Sequence, residues 1–282
     1  MIEIDNKILN DVASGFTIPA KPDILQALQE ELSREPELFR VADIIAEDIA
    51  TSAAVLKIIN SPFYGLARSI SDIRQAVMFL GLENITNLVT GYLLKQAYDQ
   101  SQCSVSLSRF WDNANDIANV SCIIANHLKT PLPPENLHLL GLFHDAGIPA
   151  MAVRFDDYPE LLQEHLEDGT MPLLNKEEQR FNTNHAVVGY YLASSWHLPK
   201  PICQLILQHH SDDFLTTSSN MFDRCCFACL RLAENFVHVA RLFCPEPQWH
   251  KIEQDVLETL QLDNYDFQDL KEDVDEYLIS SH

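Results

Sequence analysis

The run Leu139-Leu140-Gly141-Leu142-Phe143-His144-Asp145-Ala146-Gly147 sets an imidazole and a carboxylate side by side in apolar surroundings. It reads as an apolar helix, on which two such groups are costly to bury unless something pairs or binds them. Together they offer a nitrogen and an oxygen ligand to one divalent metal. A structural hydrogen-bonded pair is the other reading of the same dipeptide. The choice turns on whether further ligands stand at workable positions.

Outward from that run the signals are helical. Only eight glycines occur in 282 residues, no Asn-Gly turn joins alternating runs, and apolar residues recur at three-and-four spacing. Ile24, Leu25, Leu28 and Leu32 share one face, and Pro22 and Asp23 mark its start. Val41 to Asn60 reads as helix with a break near Asp48 to Thr51, closed by Asn60, Ser61 and Pro62. Ser71 and Asp72 open a helix through Leu80; Gly81 permits a stop before Glu83 to Tyr98 resumes. Polar residues Asp99 to Ser108 form a boundary, dividing an N-terminal part, residues 1–105, from a bundle with an acidic tail, residues 106–282.

Beyond the boundary a long helix is expected from Arg109 to Leu128, then the connector Thr130-Pro131-Leu132-Pro133-Pro134 and the His-Asp helix. Further helices are expected over Pro159 to Glu167, ended by Gly169, and over Pro172 to Phe181. Thr183 or Asn184 caps one through Trp196, Pro199 to His210 forms the next, and Met221 to Phe243 is long and largely apolar. The architecture is all-α, an N-terminal helical subdomain packed on a helical bundle.

Composition narrows the function. A net charge of -22, with 19 basic residues scattered among 41 acidic ones, repels phosphate backbones and anionic membranes. Neither nucleic acid nor membrane is expected as a partner. No apolar run approaches the roughly 20 residues of a span, and Met1 to Lys7 lacks the features of a signal peptide. Seven cysteines in no framework spacing read as reduced thiols in cytoplasm. Cys226-Phe227-Ala228-Cys229 has zinc-like spacing but sits mid-helix, as buried thiols do. Residues 246–282 hold eleven acidic residues against Lys251 and Lys271, a solvated helical face or an acidic docking surface. No Gly-x-Ser-x-Gly element or phosphate-binding glycine loop occurs.

The remaining ligand candidates are His185 after a helix cap, His209 and His210 at a helix end, and Glu234 inside an apolar helix. Each has a bland alternative. His185 suits a helix start, the helix dipole favours a terminal histidine pair, and Glu234 has Arg231 within pairing distance along the helix.

These motifs resemble the HD superfamily of metal-dependent phosphohydrolases, and most closely its HDOD branch. Phe110-Trp111-Asp112-Asn113-Ala114 resembles the early segment, with Asn113 where the superfamily has its first ligand histidine. His144 and Asp145 match the central pair, and Asn184-His185-Ala186-Val187-Val188-Gly189 and Trp196 through His210 match later segments. Glu234 stands for the final ligand aspartate. In the N-terminal half, Ile18-Pro19-Ala20-Lys21-Pro22, the helix ending in Asn60-Ser61, and Ile70 to Leu82 resemble HDOD segments. Ile49 replaces the proline usual after the aspartate. The resemblance covers about residues 14–240 and leaves the acidic tail outside.

The resemblance implies a cytoplasmic bacterial signalling module, with signalling proteins as partners and a degenerate site that is non-catalytic. The cofactor expected is none, or a weakly bound divalent metal: manganese, magnesium, iron, nickel or zinc. A neutral amide at Asn113 is a poor ligand for zinc, iron or nickel, which leaves manganese or magnesium bound weakly. The rival implied by the same resemblance is a metal-dependent phosphohydrolase using His144, Asp145, His185 and one of His209 or His210. A cyclic di-GMP phosphodiesterase of the HD-GYP type is disfavoured, because Ser211-Asp212-Asp213-Phe214 follows the histidine pair without its glycines or proline.

Overall fold

Caps and glycines cut the chain into helices where side chains can satisfy the free backbone N–H groups. The computed structural model describes residues 15–16, 21–61, 64, 66–168 and 171–280. Met1 to Lys7, the Ile18-Pro19-Ala20 segment, Pro62 and Gly169 lie outside the described residues. After Pro22, α1 spans Asp23–Leu32, followed by α2 (Leu38–Ala46) and α3 (Ile49–Ile59). The break between α2 and α3 falls where Asp48 turns its carboxylate to the Thr51 N–H, 2.7 Å away. Asp72 caps α4 (Ile73–Gln96) through the Gln75 N–H, and Gly81 bends that helix at φ 80°. This left-handed value is one that glycine adopts without steric penalty. Contrary to the expectation that no apolar run approaches a span, α4 has the length and hydropathy of one, but most of its apolar window is buried in the core.

Ser106 caps α5 (Leu107–His127), whose buried Leu107, Trp111, Ala114 and Ile117 recur at helical spacing. α6 (Pro134–Phe143) buries every residue from Leu137 to Phe143, as expected of a helix that other elements surround. It packs on α5 and α4. α7 (Gly147–Arg154), α8 (Tyr158–Asp168), α9 (Leu173–Phe181), α10 (His185–Ser195) and α11 (Lys200–Gln208) follow. After the single turn α12 (Phe214–Thr217) come α13 (Met221–Leu242), α14 (Trp249–Leu260) and α15 (Asn264–Ser280). α13 and α15 cover α5, and α10 packs on α7 and α11. No strand occurs among the described residues, so the all-α expectation holds.

One apolar core runs from the N-terminal helices through the bundle, with Phe143, Tyr158, Trp196 and Phe227 fully buried in it. It extends into the acidic tail, where Trp249, Ile252, Val256, Leu270, Val274 and Leu278 face inward. All seven cysteines are free thiols, and Cys244 is the exposed one.

Two expectations need correction. The His-Asp pair is not within a helix: α6 stops at Phe143, His144 is its C-cap, and Asp145 and Ala146 form the turn before α7. α11 likewise stops at Gln208, so His209 caps it and His210 lies just beyond. Both changes turn side chains off a helix cylinder towards a common point.

His138 on α6 gives the fold a pH dependence. Burial pushes its pKa down to about 4 from the usual 6.5. Between those values the unfolded chain holds a proton that the folded chain excludes, so stability falls as pH drops from 6.5 towards 4. The contribution lost is about 3 kcal/mol. Urea unfolding of wild type and His138→Gln between pH 7 and 4.5 checks this. The wild-type stability should fall more steeply by that amount, whereas parallel curves would contradict it.

Candidate metal centre

His144 and His209 both cap helix C-termini, and each ring folds back onto the carbonyl three residues earlier. His144 Nδ1 donates to Gly141 O at 2.8 Å, and His209 Nδ1 donates to Ile206 O at 2.6 Å. His185 opens α10 after the Asn184 cap, and its Nδ1 lies 2.7 Å from Glu177 Oε2. With a proton on Nδ1 in all three rings, Nε2 is the nitrogen each ring turns to the cluster, where it offers a lone pair once any proton of its own is displaced.

Those nitrogens meet. His185 Nε2 lies 3.4 Å from His209 Nε2 and 3.1 Å from His210 Nε2. Asp145 Oδ1 stands 3.3 Å from His185 Nε2 and 3.2 Å from His209 Nε2. Ligand atoms of Asp145, His185, His209 and His210 all lie within 4.8 Å of one another. His144 Nε2 adjoins this group, 3.3 Å from Asp145 Oδ2, and is buried without a hydrogen-bond partner. Nε2 atoms facing one another across 3.1–3.4 Å repel as lone pairs unless a proton or a metal cation lies between them.

Electrostatics follow from burial and from the carboxylates of Asp145, Glu177 and Glu234. Burial disfavours charge on Asp145, but the His144, His185 and His209 rings outweigh it and hold its pKa well below the usual carboxylate range. Burial also opposes charge on His144, yet Asp145, Glu234 and the Gly141 carbonyl raise its pKa to about 8. For His185, Glu177 and Asp145 overcome burial and raise it to about 10. Burial lowers the pKa of His209, and burial with the adjoining rings takes His210 well below its usual value.

Glu234 touches the edge of the cluster. Its Oε1 is 3.4 Å from His144 Nε2, while its Oε2 accepts from Arg231 at 2.8 Å. Arg231 also reaches Glu246 at 3.3 Å, so the carboxylate is held by a buried guanidinium. Asn113 is half-buried on α5 and makes no hydrogen bond to the cluster among the described residues. Cys226 and Cys229 are buried, and among the described residues they join no metal-capable group.

One residue escaped the sequence reading. Glu177 is fully buried, accepts the His185 backbone N–H at 3.0 Å as well as its ring, and takes the Tyr158 hydroxyl on its other oxygen. This carboxylate–histidine contact fixes the ring's tautomer and orientation, as around protein-bound metals generally. Within Asn175-Lys176-Glu177-Glu178-Gln179-Arg180, Glu177 looks like part of a solvated face, and only the fold turns it inward.

Residues 18–212 match the HDOD domain family, well over half of the chain, and the chain belongs to that family. An HDOD domain protein of unknown function from Geobacter sulfurreducens has the same fold, with TM-score 0.70, 23% identity, and coverage of 97% of this chain and 94% of that one. A candidate phosphohydrolase from Shewanella amazonensis SB2B also gives 0.70, at 20% identity over 96% of this chain and 94% of its own. A candidate signal transduction protein from Marinobacter aquaeolei VT8 gives 0.65 at 17% identity, covering 98% of this chain and 59% of that one. Among curated relatives, an uncharacterized protein of Treponema pallidum (strain Nichols) is 25% identical over 202 residues. Those residues are 69% of this chain but 38% of that relative's length.

Proposed function

We propose that the chain is a regulatory HDOD module whose histidine–aspartate centre holds one divalent cation. The carrying observation is the convergence of the Nε2 atoms of His144, His185 and His209 on the Asp145 carboxylate, with Nδ1 of each ring already committed elsewhere. Asp145, His185, His209 and His210 would hold the ion, with His144 completing the set. Mixed imidazole and carboxylate ligands suit zinc, iron, nickel or manganese. The setting assigned is a cytoplasmic signalling circuit with signalling proteins as partners, in keeping with the family and with seven free thiols. Residues 1–105 and 106–282 act as two parts of this one module.

The second reading, hydrolysis of a phosphoester, is favoured by access. Asp145 keeps 24% of its side-chain surface exposed, and His210 beside it is half-buried, while His185 and His209 are buried. A bound divalent ion would supply Lewis acidity there towards a phosphoester and its attacking water. Against turnover, Glu234 is tied to Arg231 and Asn113 offers no imidazole.

Metal analysis of the purified chain, followed by a screen of phosphomonoesters and diesters in manganese, tests both readings. The expected result is about one tightly held divalent ion per chain and no turnover above a metal-free control. A chain that takes up no zinc or manganese at millimolar supply would overturn the metal centre. Turnover that survives further purification would replace the regulatory reading with the hydrolytic one.

A further inference from the structure

A second concavity of about 870 Å³ opens between α3, α4, α5, α6 and α15 and shares no lining residue with the metal centre. Each helix contributes one face: Lys57 from α3, Tyr92 and Lys95 from α4, Asn115 and Asn119 from α5, and His138 from α6. Its size falls within the range of small-molecule sites.

The two lysines set its chemistry. Neither Lys57 nor Lys95 makes an ion pair or hydrogen bond among the described residues, in a chain with 41 acidic side chains against 19 basic ones. Two acidic groups also line the cavity. Asp116 is bonded to Arg241 at 2.5 Å, and Asp112 is exposed. Burial lowers the Lys95 pKa; the attraction of Asp112 offsets part of this, and the Lys57 charge adds a smaller lowering. An anion held by both lysines would offset the burial and the mutual repulsion. A phosphate group carries the charge density that two lysine point charges match. The Asn115 amide, the Asn119 side-chain carbonyl oxygen, whose amide nitrogen donates to Tyr277, and the Tyr92 hydroxyl proton, whose oxygen accepts from Gln96, supply donors and acceptors to a polar body attached to it.

We propose that this lysine-flanked cavity binds a small phosphorylated metabolite, with Lys57 and Lys95 on its phosphate. Its occupancy would be felt at the other site, because Leu142, in its wall, is two residues from His144.

Titration calorimetry on the full chain in EDTA, which keeps the metal centre empty, is the test. The probes are glycerol 2-phosphate and citrate, the latter an anion without phosphate. Glycerol 2-phosphate should bind saturably, and better than citrate. The double variant Lys57→Gln with Lys95→Gln should weaken it at least about tenfold. Lys57→Gln alone, at an exposed position, keeps the comparison available should the double variant not fold, and should weaken binding about threefold or more. Bound ester should also slow acylation of Lys57 and Lys95 by an amine-reactive reagent, read by peptide mass spectrometry. No saturable binding up to about 10 mM, equal affinity in folded variants, or citrate binding as well as the ester would each overturn the proposal.

Discussion

Gly147→Ala should lower the urea midpoint sharply, by the equivalent of about 3 kcal/mol or more. Helix propensity argues the opposite way, but weakly, because Gly147 opens α7 and alanine's advantage of about 1 kcal/mol over glycine belongs to a helix interior. Sterics decide. A Cβ at position 147 would stand 1.9 Å from the His185 carbonyl oxygen and 2.8 Å from the Gly189 nitrogen. Both are backbone atoms, so no rotamer relieves the clash and α7 must move off α10. Because His185 opens α10, the same movement would pull its ring from Asp145. A variant as stable as wild type would show that α7 and α10 do not approach this closely.

The second large effect is expected from Asp145→Asn. The change preserves shape but removes the one carboxylate that faces the His144, His185 and His209 rings together. Loss of an outer-shell partner alone typically weakens a bound metal 10–100-fold, so losing a direct charged ligand should weaken it by at least about 100-fold. Zinc and manganese titrations of wild type and variant measure this. Unchanged affinity in a folded variant would mean that the ion sits elsewhere.

Much of the architecture was readable from local chemistry. Asp48, Asp72 and Asn184 cap helices where short polar side chains precede apolar periodicity, and the all-α expectation and the HDOD resemblance both hold. What could not be read was where helices stop short. His144, Asp145 and His210 are placed by turns whose position depends on tertiary contact, such as Gly147 against His185. A periodic pattern continues through such a turn because its residues remain buried. The candidate ligands were nameable because His185, His209 and His210 stand at helix ends and, with His144 and Asp145, in the segments that resemble the HD pattern. Glu177 was not, since its neighbours are Lys176 and Glu178 and nothing local distinguishes the one carboxylate that turns inward. Glu234 shows that two readings of one residue can coexist: one oxygen pairs with Arg231 while the other faces His144.

The distribution of thiols makes this chain a convenient spectroscopic object. With six cysteines buried, a maleimide dye would attach at Cys244 alone without any background mutation. That position is two residues from Glu246, the outer end of the chain of contacts through Arg231 and Glu234 to His144. A single fluorophore placed there would sit within reach of the histidine cluster yet outside it. Filling or emptying of the cluster could then be followed as an optical signal, in real time and on the native cysteine complement.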